Sequence, residues 1–193
     1  MTKARLEAFS DGVLAIIITI MVLEFKKPEG SDMASLTPLL PAFLSYILSF
    51  VFVGIYWGNH HHLLHAVKRV NSQIIWSNMG LLFTLSLVPF ATAWMGENHF
   101  TQLPVALYGT VLLFNAIAYT ILQKTIMAEK SQNEKLRIAL EKQEIKGRFS
   151  TLLYIISIPC AFYYPWISAS LYVIVAILWL VPDKRIEAAL KEE

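Results

Sequence analysis

The chain has 193 residues, 56% of them hydrophobic, with a mean hydropathy of +0.53 and a formal net charge of +2. Soluble domains run at about 45–50% apolar residues, so the composition excludes an ordinary soluble protein and points to an integral membrane protein. The near-balanced charge favours no nucleic-acid partner, and the single cysteine, Cys160 in an apolar segment, excludes an intrachain disulfide. The whole of 1–193 reads as one domain, with nothing resembling a linker to a second.

A membrane span needs roughly 20 mostly apolar residues, and on that length the chain divides into six. The first covers about 4–25. It carries Ser10-Asp11 near its start and Glu24 at its end, with no charge from Gly12 to Leu23. Its apolar start is not preceded by a basic region and followed by a small-residue cleavage site, so no cleavable signal peptide is expected. At helical spacing Phe9, Val13, Ile16, Ile20 and Leu23 share one stripe with Thr19 at its edge, and Asp11 falls on the opposite side. The second span is 36–64, ending in a histidine run, with Pro38 and Pro41 suited to its first turn. The third is 72–94, with a kink expected at Pro89, and the fourth is 102–123, opened by Pro104. Residues 124–148 are charged, seven cations against four Glu. They read as a cytoplasmic helical linker extending the fourth helix. The uncharged run 149–181 is too long for one span and splits at Tyr163-Tyr164-Pro165-Trp166 into 149–164 and 166–181.

The basic residues orient these spans. With the N-terminus inside, 14 of the 16 Lys and Arg lie in inner segments, and only Lys26 and Lys27 lie outside. An excess of this kind marks the cytoplasmic side. An all-α membrane protein with six transmembrane helices and both termini cytoplasmic follows.

An ionisable residue inside a span costs about 2.5–3.5 kcal/mol on insertion scales and is a functional suspect. Asp11 with Ser10 reads either as a helix N-cap pair or as a polar knot between helices. In Trp57-Gly58-Asn59-His60-His61-His62-Leu63-Leu64-His65, His61 and His65 have the spacing of a helical zinc pair. No Cys, Asp or Glu stands near to complete a site, so no metal is expected. A P-loop, a GxGxxG turn and paired intramembrane carboxylates are all missing from the sequence, and with them any basis for an enzyme or a cofactor.

Arg5-x-x-x-Phe9-Ser10-Asp11 opening an apolar first helix resembles the RxxxFSD signature of the transmembrane protein 175 family of potassium channels. Trp57, His60 and His61 match that family's Trp-x-x-His-His pattern, and Asn78 and Pro89-Phe90 also resemble family positions. The resemblance implies the single-repeat prokaryotic type: a homotetramer in the inner cell membrane, with helix 1 lining a central potassium pore. It implies an apolar constriction from Ile16, Ile20 and Leu23, with Thr19 the one hydroxyl able to replace ion hydration. It also implies a structural network of Arg5, Phe9, Ser10, Asp11, Trp57, His60 and His61. Potassium is then a permeant ion, and membrane lipid and the other subunits are the partners. The rival reading is a secondary transporter moving a proton or small ion through Asp11 and His60–His62.

Overall fold

The computed structural model describes residues 1–67, 69–128 and 134–180, with side chains for all of these but 134–142. Lys68 and the C-terminal cations Lys184, Arg185 and Lys191, all counted in the charge asymmetry, lie outside the described residues.

Helix α1 runs from Lys3 to Leu23, capped by the Thr2 hydroxyl, which accepts from the Arg5 N–H at 3.4 Å. A polar turn leads into a 3₁₀ helix, Met33–Leu39. Its cap Asp32 accepts from the Ser35 N–H at 3.0 Å. The Ser35 hydroxyl and N–H together hold the Asp32 carboxyl below the usual carboxylate range. Helix α2, Leu40–His65, follows directly, with Pro41 in the first turn where its missing N–H costs nothing.

The third apolar stretch forms two helices, α3 (Ser72–Leu85) and α4 (Val88–Glu97). The sequence predicts a kink at Pro89; the break comes at Ser86-Leu87, three residues earlier. Pro89 has no N–H to give the Leu85 carbonyl, so the preceding turn tightens, with Leu87 N–H on Thr84 O at 3.2 Å. Helix α4 ends in a Schellman turn, Phe100 N–H donating to Met95 O at 3.0 Å and His99 N–H to Gly96 O at 3.2 Å. His99 and Phe100 adopt left-handed φ of 51° and 58°, a conformation that glycine takes more readily.

Helix α5 spans Gln102–Met127, α6 spans Glu134–Ala161, and α7 spans Pro165–Leu180. The charged segment is therefore helical from Glu134 and continuous with the apolar run that follows, rather than an extension of α5. The pair Glu144–Arg148, one turn apart and 2.9 Å between charged atoms, supports that polar half. Among the described residues four stretches are long and apolar enough to cross a membrane: Lys3–Leu23, Met33–His65, Ser72–Glu97 and Gln102–Met127. Pro165–Leu180 is apolar but shorter.

Helix α5 is the centre of the bundle, packing on α3, α4, α6 and α7, while α1 packs chiefly on α2, α3 and α4 at one side. Two glycines let helices close up. A Cβ on Gly96 would come within 2.6 Å of the Ala42 Cα, and one on Gly109 would overlap the Tyr172 hydroxyl. Between α2, α4 and α5 a buried chain of hydroxyls spans the crossing, Thr92 donating to Ser49 Oγ at 2.7 Å and Ser49 bonding Tyr108 at 2.9 Å. Close approach by small residues, with hydroxyls as cross-links, is the packing mode of helices in lipid.

Candidate functional site

Helix α1 has three faces. Leu6, Ser10, Leu14, Ile17 and Met21 are buried in the subunit. The predicted stripe is a second face, left uncovered by the other helices of the bundle: Phe9, Ile16, Ile20 and Leu23 are exposed and Val13 is half-buried. Leu23 is 74% exposed and Ile16 59%, so the subunit itself leaves most of these side chains without contacts. Thr19, also exposed, donates its hydroxyl to Ala15 O of its own helix at 2.8 Å. A hydroxyl that donates its one proton can still accept. Asp11 occupies the third face.

The exposed stripe borders an open groove of about 1,120 Å³, counted to its mouth, whose opposite wall is α4. Ile16, Ile20 and Glu24 face Phe90, Trp94 and Glu97 across it. Phe90 and Trp94 stack with ring centres 6.2 Å apart, and Lys26 closes the acidic end with an ion pair to Glu97 at 3.0 Å.

The polar residues of α1 divide between two separate contacts. Ser10 is fully buried and accepts from Asn78 Nδ2 of α3 at 3.0 Å. Asn78 Oδ1 lies 2.6 Å from His60 Nε2 of α2, and the Ser10 hydroxyl donates to Leu6 O at 2.9 Å. Asn78 spends its N–H on Ser10, so its oxygen faces His60, and His60 must carry its proton on Nε2. The chain of donors thus runs one way, from His60 through Asn78 and Ser10 to a backbone carbonyl. Three helices are tied at one buried point.

Asp11 is not in that knot. It is exposed and accepts from Trp57 Nε1 of α2 at 3.0 Å. Of the pair, Ser10 takes the buried position, and Asp11 reaches a neighbouring helix through Trp57. Arg5 and Phe9 are exposed as well. Asn78, absent from the predicted network residues, is its central member. A lone amide inside the apolar run Ile74–Trp94 is the signal that pointed to it.

Residues 5–89 match the family model described as the endosomal/lysosomal potassium channel TMEM175. A potassium channel of Chryseobacterium sp. (strain P1-3) is 58% identical over 192 residues, covering 100% of both chains. The chain belongs to the TMEM175 family. The crystal structure of a lysosomal potassium-selective channel TMEM175 homolog from Chamaesiphon minutus superposes with a TM-score of 0.81 at 29% identity, over 92% of this chain and 96% of that one. The human endosomal/lysosomal proton channel TMEM175 is 38% identical over 99 residues, which are 45% of this chain and 19% of that protein. TMEM175 proteins are channels, not enzymes, and the all-helical fold with its apolar helices is that of a multi-pass membrane protein.

The rest of the histidine run lies at the end of α2 that meets the loop to α3. The His61 ring lies tilted against Trp57, with ring centres 6.5 Å apart, and against His65 at 6.3 Å. Lys3 donates to His65 O at 2.6 Å and approaches its Nδ1 at 3.3 Å. A cation beside the ring disfavours a metal there, and no group of three metal-binding side chains forms among the described residues. This cluster holds the start of α1 against the end of α2.

Proposed function

We propose that four copies of this potassium-channel chain surround one axis, with the exposed stripe of α1 lining the conduction path. The observation that carries the reading is that stripe: Ile16, Ile20 and Leu23 are bulky, apolar and uncovered within the subunit, in a family of potassium channels. Brought together four times, one of these residues makes an apolar ring, which holds water poorly and gates by dewetting. Thr19 supplies the one hydroxyl on that side of the helix. Six spans with both termini cytoplasmic, in the inner membrane of a prokaryotic cell, complete the reading; the distribution of Lys and Arg supports it.

The transporter reading draws on Asp11 and the histidines as a proton path. The geometry gives it little support, because the link between His60 and Ser10 is an amide. An amide donates with its nitrogen and accepts with its oxygen, and it does not hand a proton on as water or imidazole does. Asp11 stands apart, bonded to an indole N–H that does not titrate.

Bi-ionic recording of Ile16→Asn and Ile20→Asn beside the parent tests the proposal. A polar ring residue removes the dewetting barrier, so current is expected to rise and preference for potassium over sodium to fall. Assembled variants with unchanged current and reversal potential would remove the stripe from the conduction path.

A further inference from the structure

Glu24 stands at the open groove and takes no part in the contacts that close it. It is the C-terminal cap of α1, one turn beyond Ile20, and it lines the same groove as Ile16 and Ile20. Lys26, two residues on, does not neutralise it, because that lysine is paired with Glu97 at 3.0 Å. Among the described residues no cation pairs with Glu24, which is exposed. The loop from Glu24 to Asp32 and the end of α4 together hold four carboxylates against two lysines, a formal charge of −2 for each chain.

A carboxylate at this position goes against the helix that carries it. The C-terminus of a helix bears partial negative charge from its free carbonyls and favours cations. Two other long helices follow that rule: α2 carries His62 and His65 in its last turn, and α5 carries Lys124. Helix α4 ends on a carboxylate, Glu97, but Lys26 answers it. The last turn of α1 has no basic residue. Its carbonyl dipoles and the Glu24 carboxylate therefore add, at the uncovered end of the stripe.

We propose that Glu24 sets the rate at which potassium enters the pore from the Leu23 end, by concentrating cations there through its field. The inference rests on the reading that the α1 stripe lines the conduction path. Around a fourfold axis this single carboxylate becomes four, just beyond the apolar residues Ile16, Ile20 and Leu23. Rings of Asp or Glu side chains serve cation channels in this way. No bond to the ion and no loss of its water are needed. The carboxylates raise the local potassium concentration, and the apolar ring still decides which ions pass. Such a field reaches about one Debye length, so the contribution of Glu24 fades as salt rises. A carboxylate that only capped its helix would show no such dependence.

The test is the conductance of the purified full-length channel in a planar bilayer at two salt concentrations. The same channels are perfused from about 1 M to about 0.05 M KCl, which lengthens the screening distance from about 3 Å to beyond about 10 Å. For current entering from the Leu23 end, Glu24→Gln is expected to lose about threefold more conductance than the parent, a modest share of the roughly 10–10³-fold that focused fields supply. At the higher salt the two should match. Glu24→Asp should follow the parent. Glu29→Gln removes the same charge from the exposed turn outside the groove and should lose little. On Glu24→Cys, a sulfonate-bearing thiol reagent should restore low-salt current and an ammonium-bearing one should lower it further. The parent, whose one cysteine is Cys160, serves as the blank. A Glu24→Gln channel that keeps the parent's low-salt conductance, an equal loss in Glu29→Gln, or a loss that persists at the higher salt would overturn the proposal. So would thiol reagents of opposite charge acting alike. If Ile16→Asn and Ile20→Asn meanwhile change current as expected, the pore reading stands and only the role of Glu24 falls.

Discussion

Helices α1 and α5 are both long apolar helices, yet the subunit treats them differently. In the most apolar stretch of each, 28% of α1 is buried against 50% of α5. Helix α5 meets four neighbours, and its inward residues are small or shaped to fit: Ala106 and Gly109 beside Tyr108, Asn115 and Tyr119. Helix α1 meets chiefly three, all on one side, and leaves Ile16, Ile20, Val22 and Leu23 on its uncovered faces. In lipid, apolarity earns a helix its place in the membrane but does not say which side packs on protein. Small residues and the closeness they permit say that. By this criterion α5 is completed inside the subunit and α1 is completed by something outside it.

Two glycines sharpen this contrast. Gly109→Ala places a methyl on the Tyr172 hydroxyl, which itself donates to Val105 O at 3.1 Å. Overpacking of this kind costs about 1–3 kcal/mol, and thermal unfolding in detergent is expected to show it. Gly12 on α1 has nothing within 4 Å of its would-be Cβ. Gly12→Ala is expected to stay within about 0.5 kcal/mol or to stabilise, alanine being the better helix former. A loss at Gly12 as large as that at Gly109 would break the comparison, placing protein against a face that the subunit leaves open.

A smaller effect is expected where α1 is tied down. Asn78→Leu leaves the His60 N–H and the Ser10 lone pair buried without partners, at about 1–2 kcal/mol. Hydrogen exchange is the measurement: α1 amides from Leu6 to Leu14 should exchange faster, while those of α5 between Ala106 and Leu112 stay protected. Equal loosening of both helices would mean that α1 has no anchorage of its own. Another small effect belongs to the turn before α5. His99→Gly relieves about 1–2 kcal/mol of left-handed strain against an entropic cost of about 0.5–1 kcal/mol for a new glycine, so a slightly higher unfolding midpoint is expected without change in current.

The stripe of α1 was legible because its residues recur at helical spacing between charged ends. Which face the subunit buries was not. Leu6, Leu14, Ile17 and Met21 are no more apolar than Phe9, Ile16, Ile20 and Leu23, and a bilayer removes the contrast that marks the inside of a soluble protein. The knot was half legible. Ser10 and His60 stand out as polar residues in greasy runs, but their meeting depends on Asn78, 68 residues from Ser10, and no local pattern encodes that pairing. The same distance hid the bond between Asp11 and Trp57, 46 residues apart. Pro89 announced the break between α3 and α4 to within one turn. The start of α6 at Glu134 gave no such sign, because a charged helix without an apolar period looks like a linker until its neighbours are known.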